Sequence, residues 1–144
     1  MKIETRAIHL LEEAAKRKRI NNFLQFLSDN GKTFTLVKNV TYHDGKTKIG
    51  IGTANERLPN QWLLVLPDDE YDTVALLCEK KDGTVFRFIL AKQFFSEIKP
   101  KLPRDSNNRF QFSVGFERQS FHLNIHGYPS MCLDKFRDNI SALI

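Results

Sequence analysis

Gln61–Gln93 reads QWLLVLPDDEYDTVALLCEKKDGTVFRFILAKQ, and three apolar runs within it decide the architecture. Trp62–Leu66, Thr73–Lys80 and Thr84–Leu90 have the length and β-rich composition of strands. Pro67–Glu70 makes the first turn. Lys81-Asp82-Gly83 makes the second, where Asp-Gly between β-rich runs is a strong hairpin signal because Gly enters positive φ without steric cost. In the middle run Thr73, Ala75, Leu77 and Glu79 share one face, and Val74, Leu76 and Cys78 the other. Apolar residues on both faces predict a central strand that is covered on each side.

Upstream, Thr33–Tyr42 is a further β-rich run, and His43–Lys46 is its turn. Thr47–Thr53 (TKIGIGT) returns, its two glycines marking a bulge or a close approach. Residues 3–28 carry Ile3, Ala7, Ile8, Leu11, Ala14 and Ala15 at helical spacing, then Ile20, Phe23, Leu24 and Leu27. The spacing predicts a core-facing helix stopped by Asp29-Asn30-Gly31. Downstream, Lys92–Ile98 reads as a short helix or turn, and Lys99–Arg109 as a loop. Phe110–Phe116 and Phe121–His126 alternate as half-buried strands. Ser130 would cap a last helix, Met131–Leu143, whose core face is Leu133, Phe136, Ile140 and Leu143. The whole, 1–144, is read as one α+β domain: a mainly antiparallel or mixed sheet of about seven strands between an N-terminal and a C-terminal helix.

A chain of 144 residues can bury a core without staples. It has no apolar run of membrane-spanning length, so no membrane role is expected, and MKIETRAIHLLEEAAKRKR has acids where a secretory leader would be apolar. Cys78 and Cys132, both in apolar patterns, fit reduced thiols and a cytoplasmic location better than a disulfide framework. The formal charge of +5 is compatible with nucleic acid as a partner without requiring it.

Few constellations carry chemistry. Asp68 and Glu79-Lys80-Lys81 match a PD…ExK pattern of Mg²⁺-dependent nucleases, but the two acids lie at opposite ends of one predicted strand, roughly 30 Å apart. Ligands of one metal must be neighbours. His122 and His126, four apart on a strand, stand roughly 13 Å from each other and cannot share a zinc. There is no P-loop, dinucleotide fingerprint or nucleophile elbow. Phe86, Phe88, Phe110, Phe112 and Phe116 could form a stacking platform, although their alternation assigns them to the core.

The order of elements resembles the restriction-endonuclease-like (PD-(D/E)XK) superfamily. The likeness runs through the first helix and turn, the strand TVFRFIL (Thr84–Leu90), the element Lys92–Phe95, the strand FQFSV (Phe110–Val114) and LDKFRDNISAL, Leu133–Leu143. It rests on element order and apolar texture. The resemblance implies a first acid near Asp44 and an acid–x–lysine on Thr47–Thr53, where this chain offers Lys48 and no carboxylate; Glu56 follows in the loop. It therefore implies the scaffold without the reaction.

Three functions are expected from this reading. The first is a non-catalytic nuclease-like domain that binds DNA or serves a DNA-processing or defence assembly. Its backbone contacts would come from Lys16, Arg17, Lys18 and Arg19, and from Lys99, Lys101, Arg104 and Arg109, without cofactor. The second is an active Mg²⁺-dependent endonuclease using Asp44 with Glu56 or Glu79. The third is a protein-interaction module, a homo-oligomer pairing through a sheet edge or a Phe-rich patch.

Overall fold

A computed structural model describes the backbone of residues 2–143 and the side chains of residues 6–143, in three layers. Helix α1 (Lys2–Asp29) lies on one face of a five-stranded sheet, and a four-stranded sheet covers the opposite face. The first sheet runs β1 (Thr35–Lys38), β2 (Thr41–His43), β3 (Lys48–Asn55), β5 (Thr73–Glu79), β6 (Val85–Ile89). The second runs β4 (Gln61–Leu66), β7 (Phe110–Glu117), β8 (Ser120–Asn124), β9 (Met131–Cys132). The α+β class read from the sequence holds, with the strands divided between two sheets.

β5 is the central strand that its composition predicts. Val74, Leu76 and Cys78 face the second sheet, against Trp62, Leu64, Phe112 and Leu123. Ala75 and Leu77 face α1, against Ile20, Phe23 and Leu27. All five of these β5 side chains are fully buried, at 0% exposure. Lys80–Thr84 makes the hairpin to β6, with Gly83 at φ 92° and the Asp82 carboxylate accepting from Thr84 N–H.

The run Trp62–Leu66 is a strand, but it does not pair with β5. β4 leaves the first sheet, joins β7 in the second, and the chain then returns through Pro67–Asp72 to lay β5 parallel to β3. Parallel neighbours need such a crossover, and here a strand of the other sheet supplies it. The other pairings are antiparallel.

The glycines of TKIGIGT mark a close approach. Ile49 and Ile51 point to α1, while Gly50 and Gly52 face the second layer. A Cβ on Gly50 would sit 2.7 Å from Tyr71 Cε1, and one on Gly52 3.3 Å from Leu66 Cγ. Tyr71 is fixed there by donating its hydroxyl to Pro67 O at 2.8 Å, and burial pushes its pKa up to about 12.

Three expectations need correction. Among the described side chains, the N-terminal part of α1 is not core: residues 6–14 are exposed, with Ile8, Leu10 and Leu11 at 57%, 59% and 71%, and Ile3 lies outside the described side chains. Among the described residues the helix buries its apolar stripe from Ile20 onward, where the first sheet lies beneath it. Met131–Leu143 is not one helix. Met131–Cys132 pair with β8, and 3₁₀ turns follow at Asp134–Phe136 and Ile140–Leu143. Asp138, at φ 51°, interrupts any helix between them, yet Leu133, Phe136 and Leu143 are buried as the spacing predicts. Finally, Cys132 is exposed, whereas Cys78 is buried and its thiol pKa is pushed up by burial.

Candidate nucleic-acid interface

The four consecutive cations Lys16–Arg19 have different environments, and helical geometry explains the division. At 100° per residue, position 19 points to the sheet when Ile20, Phe23 and Leu27 do. By the same count position 16 also faces inward, position 18 lies nearly opposite and position 17 between them; Lys18 and Lys16 line separate grooves that meet at Arg19. Arg19 is 6% exposed. It donates to Thr53 Oγ1 from Nε (3.2 Å) and Nη2 (2.9 Å), donates to Asn55 Oδ1 at 3.0 Å, and pairs with Glu79 at 3.5 Å. This guanidinium bolts α1 to the ends of β3 and β5, and it is not available to a phosphate. Arg17 and Lys18 are exposed and Lys16 is half-buried.

A groove of about 620 Å³ runs between α1 and the β5–β6 hairpin. Its lining brings Lys18, Arg19 and Arg87 together with one carboxylate, Glu79, which Arg19 already engages. Arg87 lies 3.7 Å over the Phe26 ring and pairs with Asp138 at 2.8 Å. Lys80 and Lys81 are in the turn that closes the same hairpin. On the other flank, Lys16 shares a groove of about 400 Å³ with Arg57, but Glu12 and Glu13 line it too. The Lys18 flank is therefore the more cationic.

The loop cations lie elsewhere. Arg19 binds Asn55 beside the start of β4, whereas Phe110 pairs with Leu66 at the end of that strand. Five residue steps of extended chain place the two basic segments about 17 Å apart along the sheet. Arg104 pairs with Asp68 at 2.7 Å and lies 4.0 Å over the Phe110 ring. Arg109 pairs with Asp105 at 2.7 Å. Lys99 and Lys101 sit over Phe110 and Tyr128, at 5.8 Å and 5.1 Å. Two of the four charges are thus countered locally, and the segment does not converge with Lys16–Arg19.

The acids of the nuclease reading are not brought together. Asp44 precedes the eight-residue β3 and Glu56 follows it, a span on the order of 25 Å. The Asp44 carboxylate closes its own turn, accepting from the N–H groups of Lys46 and Thr47. Burial pushes its pKa up, but these donors outweigh that and hold it below the usual range. Glu56 and Glu79 do share one end, Glu56 N–H donating to Glu79 O at 2.9 Å. Each carboxylate is occupied there: Glu56 accepts from Asn60 and Lys81 N–H, which lower its pKa, and Glu79 takes Arg19. Among the described residues no three His, Cys, Asp or Glu side chains gather as a metal site. His122 is half-buried on β8, its Nδ1 without a hydrogen-bond partner, and His126 lies beyond the strand.

Sequence reasoning missed the split within Lys16–Arg19. The signal was available in the phase of Ile20, Phe23 and Leu27, which puts position 19 on the buried side. It also missed Arg87, hidden inside an apolar strand. No family model matches the chain, and neither does any curated protein or solved structure. Among the described residues no helix is long and apolar enough to cross a membrane.

Proposed function

We propose that this chain is a non-catalytic, nuclease-like domain that binds nucleic acid through its phosphate backbone, with Arg17 and Lys18 of α1 as the leading contacts. One observation carries the reading: Arg19 turns inward and pairs with Glu79, while Lys18 lines a groove with no other carboxylate and Arg17, next to it on the helix, is exposed, neither being in an ion pair among the described residues. Phosphates drawn to such a surface are bound without regard to sequence, and binding weakens steeply with salt. A reduced, cytoplasmic setting accords with the two free cysteines. Fluorescence anisotropy of a labelled duplex, with and without Mg²⁺, tests the reading. Binding at low salt without cutting is expected. Cutting that is lost in Asp44→Ala would replace it with the metal-dependent nuclease, and absence of binding at low salt would refute it.

A specific observation favours a second reading, self-association. The edge strand β1 is exposed along its length, with Leu36 at 57% and Val37 at 48% exposure. Unpaired edges of this kind recruit further strands. Sedimentation over the micromolar range decides it: a mass that rises with concentration supports a homo-oligomer, and a constant monomer mass excludes one.

A further inference from the structure

At the end where the β5–β6 and β7–β8 turns lie, the two sheets part around a cavity of about 140 Å³. Its walls are aromatic: Trp62 from β4, Phe86 from β6, Phe116 from β7 and Phe121 from β8. Phe121 is the hub, with Phe86 and Phe116 each 4.7 Å away between ring centroids and Trp62 at 6.1 Å. Trp62 and Phe121 are buried, at 2% and 5% exposure, and form the floor. Phe86 is half-buried, and Phe116 is 37% exposed although it continues the inward-facing series Phe110, Phe112, Val114. The alternation keeps Phe116 on the inner face, but the covering layer ends before it.

Two cations, Lys80 and Arg137, share this lining. Arg137 lies 4.8 Å over the Phe86 ring, and among the described residues neither cation is in an ion pair. Of the neighbouring acids, Glu79 is engaged by Arg19 and Asp138 by Arg87, while Glu56 and Asp82, whose pKa values Lys80 helps to lower, accept from backbone N–H groups. An open aromatic face beside unpaired cations complements a ligand that is planar and apolar at one end and anionic at the other. A nucleotide has that form: its base stacks and its phosphate pairs. A base inside a duplex is stacked on its neighbours and cannot enter, so the ligand must be unpaired.

We infer that this cleft holds one unpaired base of a single-stranded nucleic acid, stacked on Phe116 and Phe86, with the adjoining phosphate at Lys80 and Arg137. This rests on the nucleic-acid reading above, and it adds a contact to the base that the groove beside α1 does not make. Cations at the hairpin turn and on α1 then flank one strand end, so the domain suits a junction between duplex and single strand.

Trp62 is the only tryptophan in the chain, and its indole N–H is held on Glu79 O at 2.9 Å. Its emission therefore reports occupancy of the cleft. The experiment titrates the full chain with a 5′-phosphorylated oligothymidylate and with an abasic strand of equal length, following Trp62 emission and, with labelled strands, anisotropy. Saturable quenching by the thymidylate alone is expected. Phe116→Ala should weaken its binding roughly tenfold, the range for loss of one base–aromatic stack, with little change in melting temperature. Phe116→Leu, which keeps apolar area but no π-face, should show a similar loss. Oligothymidylate binding that leaves Trp62 emission unmoved, or abasic binding of equal strength, would overturn the inference while leaving backbone binding intact. Full affinity in Phe116→Leu would also overturn it. If neither single strand nor duplex binds, the nucleic-acid reading falls and this inference with it.

Discussion

Arg19→Ala separates the structural from the exposed members of the basic run. The substitution removes hydrogen bonds to Thr53 and Asn55, the ion pair with Glu79, and a buried aliphatic stem. Hydrogen bonds from a charged group are worth about 1.5–3 kcal/mol each. The two to Thr53 share one oxygen and count nearly as one. Glu79 is 27% exposed and regains water when its partner leaves, so the ion pair adds little. The stem contributes hydrophobic burial at about 0.8 kcal/mol per methylene, partly recovered by relaxation. A net loss of about 3 kcal/mol follows. Urea unfolding monitored by Trp62 emission measures it as a lower midpoint at unchanged slope. Arg17→Ala and Lys18→Ala, at exposed positions, should each stay within about 0.5 kcal/mol of the parent. Equal stability for all three variants would refute the assignment of Arg19 as the bolt of α1.

The two halves of α1 should respond differently: Phe23→Ala, at 1% exposure, should cost about 3–5 kcal/mol, while Leu11→Ala, at 71%, should be near neutral in the same urea assay. Gly50→Ala should destabilise by about 1–3 kcal/mol, since its Cβ would meet the Tyr71 ring at 2.7 Å and a strand interior leaves little room to yield; a midpoint equal to the parent's would mean that Tyr71 swings aside freely. The carboxyls of Asp44, Asp69 and Asp134 are all lowered in the fold. Groups with a folded pKa below the unfolded value stabilise above the ordinary carboxylate range, and that stability is lost as pH falls through the folded value. Melting temperature should therefore drop below about pH 4, and Asp44→Asn should flatten part of that acid limb; an unchanged acid limb would contradict the turn-closing role of its carboxylate.

The strands were legible because their signal is local. Alternation in Phe110–Val114 and two-faced burial in β5 reflect what each residue touches, and both held. Partnership between strands was not legible, because Trp62–Leu66 and Thr73–Glu79 carry similar apolar runs whether they pair or lie in different layers. The C-terminal segment kept its buried residues and lost its helix, since Leu133, Phe136 and Leu143 can be buried by turns as well as by a helix. The stripe Ala7, Ile8, Leu11 has helical period but lies where the described fold places no covering layer; periodicity reports conformation and not coverage. For the site, charge was visible and its pairing was not. Arg109 has its partner Asp105 four residues away, but nothing local to Arg104 marks it as paired, since Asp68 lies 36 residues distant. The aromatic cleft was half-visible: Phe86 and Phe116 stood in the sequence among core phenylalanines, and only the ending of the sheets beside them leaves Phe116 open.

The most direct test of the account is the salt dependence of duplex binding in the parent chain and in two double variants, Arg17→Ala/Lys18→Ala and Lys99→Ala/Lys101→Ala. Each lost phosphate contact should reduce the slope of log affinity against log salt by about 0.9. The account predicts a shallower slope, by nearly 2, for the α1 pair and an unchanged slope for the loop pair. A parent slope near zero, or a loss confined to Lys99 and Lys101, would contradict it.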